Sequence, residues 1–289
     1  MTLGEVRGVD YSLRGHWAGL LTGVSRPTAR VTMVAVVGVT RQDTATNPFL
    51  GLGSDGQRYW VKYLGNPDGP DSLVSERVVE ALSRKLNAPM RPSILVDVPV
   101  ELTKDSRLAV REVQPGVGHG SLLLEPSIEK EVLDDVKRDG NNERQPRFIA
   151  LWELCAGKDG QWLYDGSNDS QVWSFDHGWW INGGEAAPMT VSALDATVNH
   201  WEAWDGPVGG MSPDSFLKVA DDLDALTVSD FIDVVSSVPV EWGIQDDYLE
   251  ALAWWLHTRK SQTARRMRAL ANTSSNAKKT SNRQGGNRP

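Results

Sequence analysis

A single cysteine, Cys155, occurs in the 289 residues, so no internal disulfide can staple the chain. Cys155 ends the apolar run Ile149-Ala150-Leu151-Trp152-Glu153-Leu154, which predicts a buried structural thiol rather than a nucleophile. No run of about 18 apolar residues is present, which excludes a simple spanning helix. Met1 to Leu20 carries Glu5, Arg7, Asp10 and Arg14, so a secretory apolar region is missing and the cytoplasm is the expected compartment. Acidic residues are absent from Arg259 to Pro289, where nine basic ones stand. The first 258 residues therefore hold 21 basic against 38 acidic residues, a net charge of −17. An acidic body offers no surface to a phosphate backbone, so nucleic acid is not an expected partner except through the basic tail. That tail either meets nucleic acid or another acidic partner, or lies against its own body. Asn272 to Pro289, rich in Asn, Ser, Gly and Lys without apolar periodicity, is expected to be disordered.

What is present is ordinary in bulk and uneven in order. Hydrophobic content of 40% and charged content of 24% describe a soluble globular protein. The first hundred residues read as strands. Arg30 to Val39 is apolar and β-branched, and Ser54-Asp55-Gly56 is a hairpin turn leading into a strand over Gln57–Leu64. Gly51-Leu52-Gly53-Ser54-Asp55-Gly56 satisfies G-x-G-x-x-G in letters. A strand follows it where a dinucleotide site needs a helix, so the hairpin reading prevails. The polar stretch Thr40 to Pro48 is the better candidate for a flap. Apolar spacing predicts a helix over Ser72–Leu86, ended by Pro89 and Pro92, then a strand over Ser93–Val98. Later the chain reads as mainly helical, around 191–201, 213–225, 227–235 and 246–270. One hairpin interrupts it, with arms Trp162–Asp165 and Gln171–Phe175. The expectation is an α+β protein: a β-rich N-terminal lobe over 1–100, a helical C-terminal lobe over 101–270, and a tail over 271–289.

Three residues carry the chemistry. Lys62 lies on the strand Tyr59-Trp60-Val61-Lys62-Tyr63 and shares a face with Trp60. Alone it reads as a snorkelling lysine, but Glu76 near the start of the next helix could pair with it; Glu80, one turn on, is the competing partner. Asp159, in Gly157-Lys158-Asp159-Gly160, is expected on a loop between helix and strand. Asp176, in Ser174-Phe175-Asp176-His177-Gly178, ends a strand between hydrophobic flanks, where a carboxylate needs a partner or a metal. A strand lysine, a helix glutamate and two later aspartates are the set that phosphoryl transfer uses. His177 has no second histidine at ligand spacing and reads as structural. The twelve tryptophans are scattered, which suits core packing better than a stacking platform.

With these residues in order, the chain resembles the HipA-like kinases, in particular small bacterial proteins that hold only the kinase-like domain. The resemblance runs through Asp55-Gly56, Tyr59 to Lys62, Gly65-Asn66-Pro67-Asp68-Gly69, Leu73-Val74-Ser75-Glu76, Leu82 to Pro89 and Val117-Gly118-His119-Gly120-Ser121. It continues through Asp159, Phe175-Asp176-His177-Gly178, Val238 to Trp242 and Leu252 to Arg259, covering roughly residues 30 to 265. It implies a two-lobed protein-kinase-like fold, similar also to phosphoinositide kinases, with ATP and Mg2+ between the lobes. It further implies phosphate transfer to a serine or threonine hydroxyl of an unidentified protein substrate. Carried over, Lys62 and Glu76 hold the nucleotide, Asp159 is the catalytic base and Asp176 is the metal ligand.

The chain departs from the family at the catalytic loop. The family motif Asp-Arg-x-x-x-Asn meets Asp159-Gly160-Gln161-Trp162-Leu163-Tyr164 here. Direct counting puts Tyr164 in the place of the metal-binding asparagine, which tyrosine cannot replace. A loop shortened by three residues puts Gln161 there, and Asp165 is a further candidate. An active kinase with a compressed loop and a nucleotide- or partner-binding pseudokinase both satisfy these residues, and an unrelated interaction domain is the third class.

Overall fold

The structure, a computed structural model, describes residues 8–28, 30–40, 46–181, 189–201 and 203–285. Its first half is a closed five-stranded barrel in the order β1-β2-β3-β5-β4. The strands are β1 (Val31–Val39), β2 (Phe49–Gly53), β3 (Arg58–Lys62), β4 (Ser93–Val98) and β5 (Gly116–Leu122). The β2–β3 turn at Ser54–Gly56 is the hairpin that Asp55-Gly56 predicts, and a strand rather than a helix follows the glycine pattern. Closure brings β5 hard against β3: a Cβ on Gly118 would lie 2.6 Å from the Lys62 carbonyl oxygen. The small residues of Val117-Gly118-His119-Gly120 thus let the barrel shut around the lysine strand. Because β5 belongs to the barrel, the strand-rich part extends past the boundary expected near residue 100.

Helix α1 (Gly69–Lys85) joins β3 to β4, with Leu73, Val74, Val78, Val79 and Leu82 fully buried. Their i, i+4 spacing forms the stripe that seats α1 between the barrel and the rest of the chain. Barrel residues such as Met33, Phe49, Val61, Tyr63 and Val96 make a core of their own. The larger core gathers α1, α2 (Asn141–Leu154), α4 (Pro213–Ala225), α5 (Val228–Ser236) and α6 (Asp246–Gly285). Ser212 caps α4, and Thr227 with Asp230 forms a capping box on α5, so both starts are legible in sequence. A short helix α3 (Val191–Thr197) precedes them and stops before the expected Trp201. A second sheet, β6 (Ser127–Lys130), β7 (Gln161–Asp165) and β8 (Gln171–Phe175), adds one strand to the predicted hairpin. Cys155 is fully buried and burial pushes its thiol up to about 12, so it is not a nucleophile at neutral pH.

Helix α6 runs past Leu270 to Gly285, over residues where disorder was expected; Ala271 and Ser274 are buried, and the Ser274 hydroxyl donates to the Met211 carbonyl at 2.7 Å. Residues 286–289 lie outside the described residues. Several of the basic residues serve the body. Arg266 pairs with Glu153, and Arg268 with Asp221 and Asp224. Arg259 is buried between the rings of Trp201 and Trp255, 4.3 Å from each. It donates to the carbonyls of Glu153, Leu154, Val198 and His200. Arg259→Leu leaves those acceptors buried and unpaired, so it is expected to lower unfolding stability by at least about 3 kcal/mol in urea titrations.

Candidate functional site

Strand β3 ends on Lys62, and the barrel wall points its ammonium toward the start of α1. There Lys62 Nζ lies 2.5 Å from Glu76 Oε1 and 2.5 Å from Asp176 Oδ1. Glu76 is the partner and Glu80 is not, because Glu80 is taken by Arg77 and Arg84 on its own helix. Lys62 is buried at 7% exposure, so the snorkelling reading of an isolated strand lysine does not hold. Burial disfavours its charge, but the carboxylates of Asp176 and Glu76 outweigh that and raise its pKa above the ordinary lysine value. Burial likewise opposes the Glu76 charge, yet Lys62, then His177 and His119, hold its pKa well below the carboxylate range. His119 stands opposite Lys62 across β3–β5, and burial lowers its own pKa to about 3, which leaves the imidazole neutral at pH 7.

The β7–β8 hairpin positions both aspartates. Gln161 pairs with Phe175 at its open end, so Asp159 and Asp176 flank that end as neighbours. Both adopt left-handed backbone conformations, φ +53° at Asp159 and +56° at Asp176, which turns each carboxylate off its strand axis. Such angles cost about 1 kcal/mol for a residue with a Cβ, and aspartate tolerates them better than most. His177 is wholly buried: its Nε2 lies 2.7 Å from Ser174 Oγ, and its carbonyl accepts from Ser75 Oγ at 2.6 Å. It ties the Asp176 turn to α1 and serves as a structural histidine. Gly178 lets that turn sit close, since a Cβ there would lie 3.2 Å from Ser72 Cβ.

All five candidate residues, Lys62, Glu76, Asp159, Gln161 and Asp176, line one cavity of about 390 Å³. Of the three stand-ins for the missing asparagine, only Gln161 reaches it, and its Nε2 donates to Asp159 Oδ2 at 3.0 Å. Tyr164 faces the other way, its hydroxyl accepting from Asp134 N at 2.6 Å, and Asp165 caps the far turn at Ser167. Asp176, Asp159 and Gln161 present oxygens of the kind magnesium prefers, and the Asp176 side chain is 37% exposed toward the opening. Among the described residues no cluster of three His, Cys, Asp or Glu forms a self-contained metal cage. The predicted flap falls largely outside the described residues, but its ends, Thr40, Thr46 and Pro48, rim the cavity. Sequence reasoning missed Arg91 and Glu129 in the lining. The one signal for Arg91 is a charge set between Pro89 and Pro92 just before a strand.

No curated protein sequence matches the chain. A crystal structure of a Helicobacter pylori proinflammatory kinase, CtkA, is similar to it with a TM-score of 0.55 at 11% identity. That similarity covers 86% of this chain and 99% of that one, and it shows a kinase-like α+β fold. A Golgi casein kinase structure superposes less well, with a TM-score of 0.44 at 11% identity over 86% of this chain and 75% of that one.

The buried lysine pair makes a stability prediction with a defined sign. Glu76 has a lowered pKa in the folded state, so its contribution is complete above the unfolded value of about 4.3 and is lost as pH falls through the folded pKa. Glu76→Gln is expected to cost up to about 3 kcal/mol at pH 7, since Asp176 still faces the ammonium. The gap between wild type and variant should narrow as urea unfolding is repeated below pH 4.

Residues 34–144, which hold Lys62 and Glu76, match the family model described as HipA-like kinase.

Proposed function

We propose that the chain is an ATP- and Mg2+-dependent kinase of the HipA-like type that phosphorylates a serine or threonine hydroxyl on a protein substrate. The observation that carries this reading is the convergence of Lys62, Glu76, Asp159, Gln161 and Asp176 on one cavity. Two lobes, the barrel with α1 and the helical remainder, would close on the nucleotide. In this reading Glu76 fixes the Lys62 ammonium, which is then aimed at the phosphates. Asp176 and Gln161 would hold magnesium, which would supply positive charge to offset that of the phosphates. Asp159 accepts the proton of the attacking hydroxyl as the new O–P bond forms.

Two features slow the reaction without removing its parts. Gln161 supplies a neutral amide oxygen one methylene longer than asparagine, and its own amide donates to Asp159. Lys62 is bonded to Asp176 Oδ1 as well as to Glu76, which leaves only Oδ2 of Asp176 unshared for a metal. These contacts also suit a pseudokinase that binds nucleotide without efficient transfer, and turnover separates the two readings.

Thermal-shift titration with magnesium-ATP is expected to raise the melting temperature of wild type and to leave Lys62→Met unmoved. Asp176→Asn should remove the magnesium dependence of binding, while Gln161→Ala keeps nucleotide binding. Labelled-ATP incubation should show slow autophosphorylation or hydrolysis that vanishes in Asp159→Asn. Turnover persisting in that variant would displace Asp159 as the base. Binding without turnover in wild type would decide for the pseudokinase.

A further inference from the structure

The cavity continues beyond the carboxylates. Past Trp60 it opens into a second hollow of about 600 Å³, walled by Leu123 to Ser127, the segment that leaves β5. Trp60, Arg91 and Glu129 line both spaces and so stand at their junction. Trp60 precedes Lys62 by two residues on the same face of β3, about 6.6 Å along the strand. A nucleotide whose phosphates sit at Lys62 would therefore lay its base at this junction.

The junction has a chemical character of its own. Arg91 is 7% exposed, its Nε donates to the Leu122 carbonyl at 2.6 Å, and its guanidinium lies over Phe175 at 5.6 Å. Those contacts fix the plane of the fork while its two terminal nitrogens meet no acceptor among the described residues. Burial lowers its pKa to about 10, with Glu129 the leading charge opposing that fall, so Arg91 remains a cation at pH 7. Glu129 is exposed and has no hydrogen-bond or ion-pair partner among the described residues. A planar fork of donors matches two adjacent acceptors, and a carboxylate matches two adjacent donors. Guanine presents both patterns: O6 and N7 accept on one edge, while N1–H and the N2 amino group donate on the next. Adenine offers N7 alone to the fork, beside an N6 amino group that cannot accept.

Resting on the kinase reading above, we propose that this junction is a guanine-accepting base pocket and that GTP serves as phosphate donor alongside ATP. Arg91 takes O6 and N7, Glu129 takes N1–H and the N2 amino group, and the ring stacks on Trp60. The transfer is unchanged: the γ-phosphorus bonds to the substrate hydroxyl oxygen, its bond to the β–γ bridging oxygen breaks, GDP departs, and Asp159 takes the hydroxyl proton.

Calorimetric titration of the full chain with the magnesium complexes of the β,γ-imido analogues of GTP and ATP tests this. Both are expected to bind with comparable dissociation constants. Glu129→Gln, at an exposed position that does not endanger folding, should raise the GTP-to-ATP ratio of those constants at least about tenfold, the worth of a charge-assisted contact. Binding of the ATP analogue with no detectable binding of the GTP analogue overturns the guanine pocket and leaves the kinase reading standing. An unchanged ratio in Glu129→Gln also overturns it. Failure of both nucleotides to bind overturns the kinase reading, and this inference with it.

Discussion

A lysine ammonium placed in the interior needs negative charge close by, and the site is organised around that demand. Lys62 is fixed by the barrel, Glu76 by α1 and Asp176 by the β7–β8 hairpin, so the charge cluster draws three separate elements to one point. Burial opposes the charges of Lys62 and Glu76, and their neighbours more than restore both. The pair is costly to build, because desolvating two ions offsets much of their attraction. Its value lies in geometry more than in net stability: three elements must reach their native places before the cluster is complete.

The two aspartates are held by a different device. Antiparallel pairing of Gln161 with Phe175 sets a fixed spacing at the hairpin mouth, and left-handed backbone at Asp159 and Asp176 turns both carboxylates off the strands. The buried His177 then anchors the second turn to α1 through Ser75 and Ser174. The lysine cluster and the hairpin share Asp176, which couples the barrel to the helical part.

The acidic body and the basic C-terminal region illustrate how charge is spent within one chain. The basic residues of α6 that pair with Glu153, Asp221 and Asp224 are engaged with the helical part. Arg259 is no surface charge: carbonyl oxygens and two indole rings replace its water. Part of what read as a basic tail thus belongs to a helix packed on the body, with Arg259 buried and Arg266 and Arg268 paired.

Local patterns in the sequence determined a good deal. Asp55-Gly56 specified the β2–β3 turn, Ser212-Pro213 and Thr227 specified the starts of α4 and α5, and apolar spacing specified the buried face of α1. Lys62 and Asp176 were legible as candidates because charged residues in apolar surroundings need an explanation, Glu76 because it lies near the start of the next helix, and Asp159 because it falls on a loop between helix and strand. Tertiary structure alone decided which charges meet. Glu76 and Glu80 are one helical turn apart and equivalent in sequence, and only the nearby Arg77 and Arg84, with the direction of α1 against β3, sends Glu76 to the lysine. Direct counting offered Tyr164, which cannot replace the amide, and a shortened loop offered Gln161; the strand's alternation turns Tyr164 toward Asp134 and leaves Gln161 at the cavity. Arg91 and Glu129 carried no periodic signal, since their roles arise from barrel closure and from a strand added across the hairpin. The extension of α6 depended on Ser274 finding the Met211 carbonyl, a contact between residues far apart in the chain that no local propensity encodes.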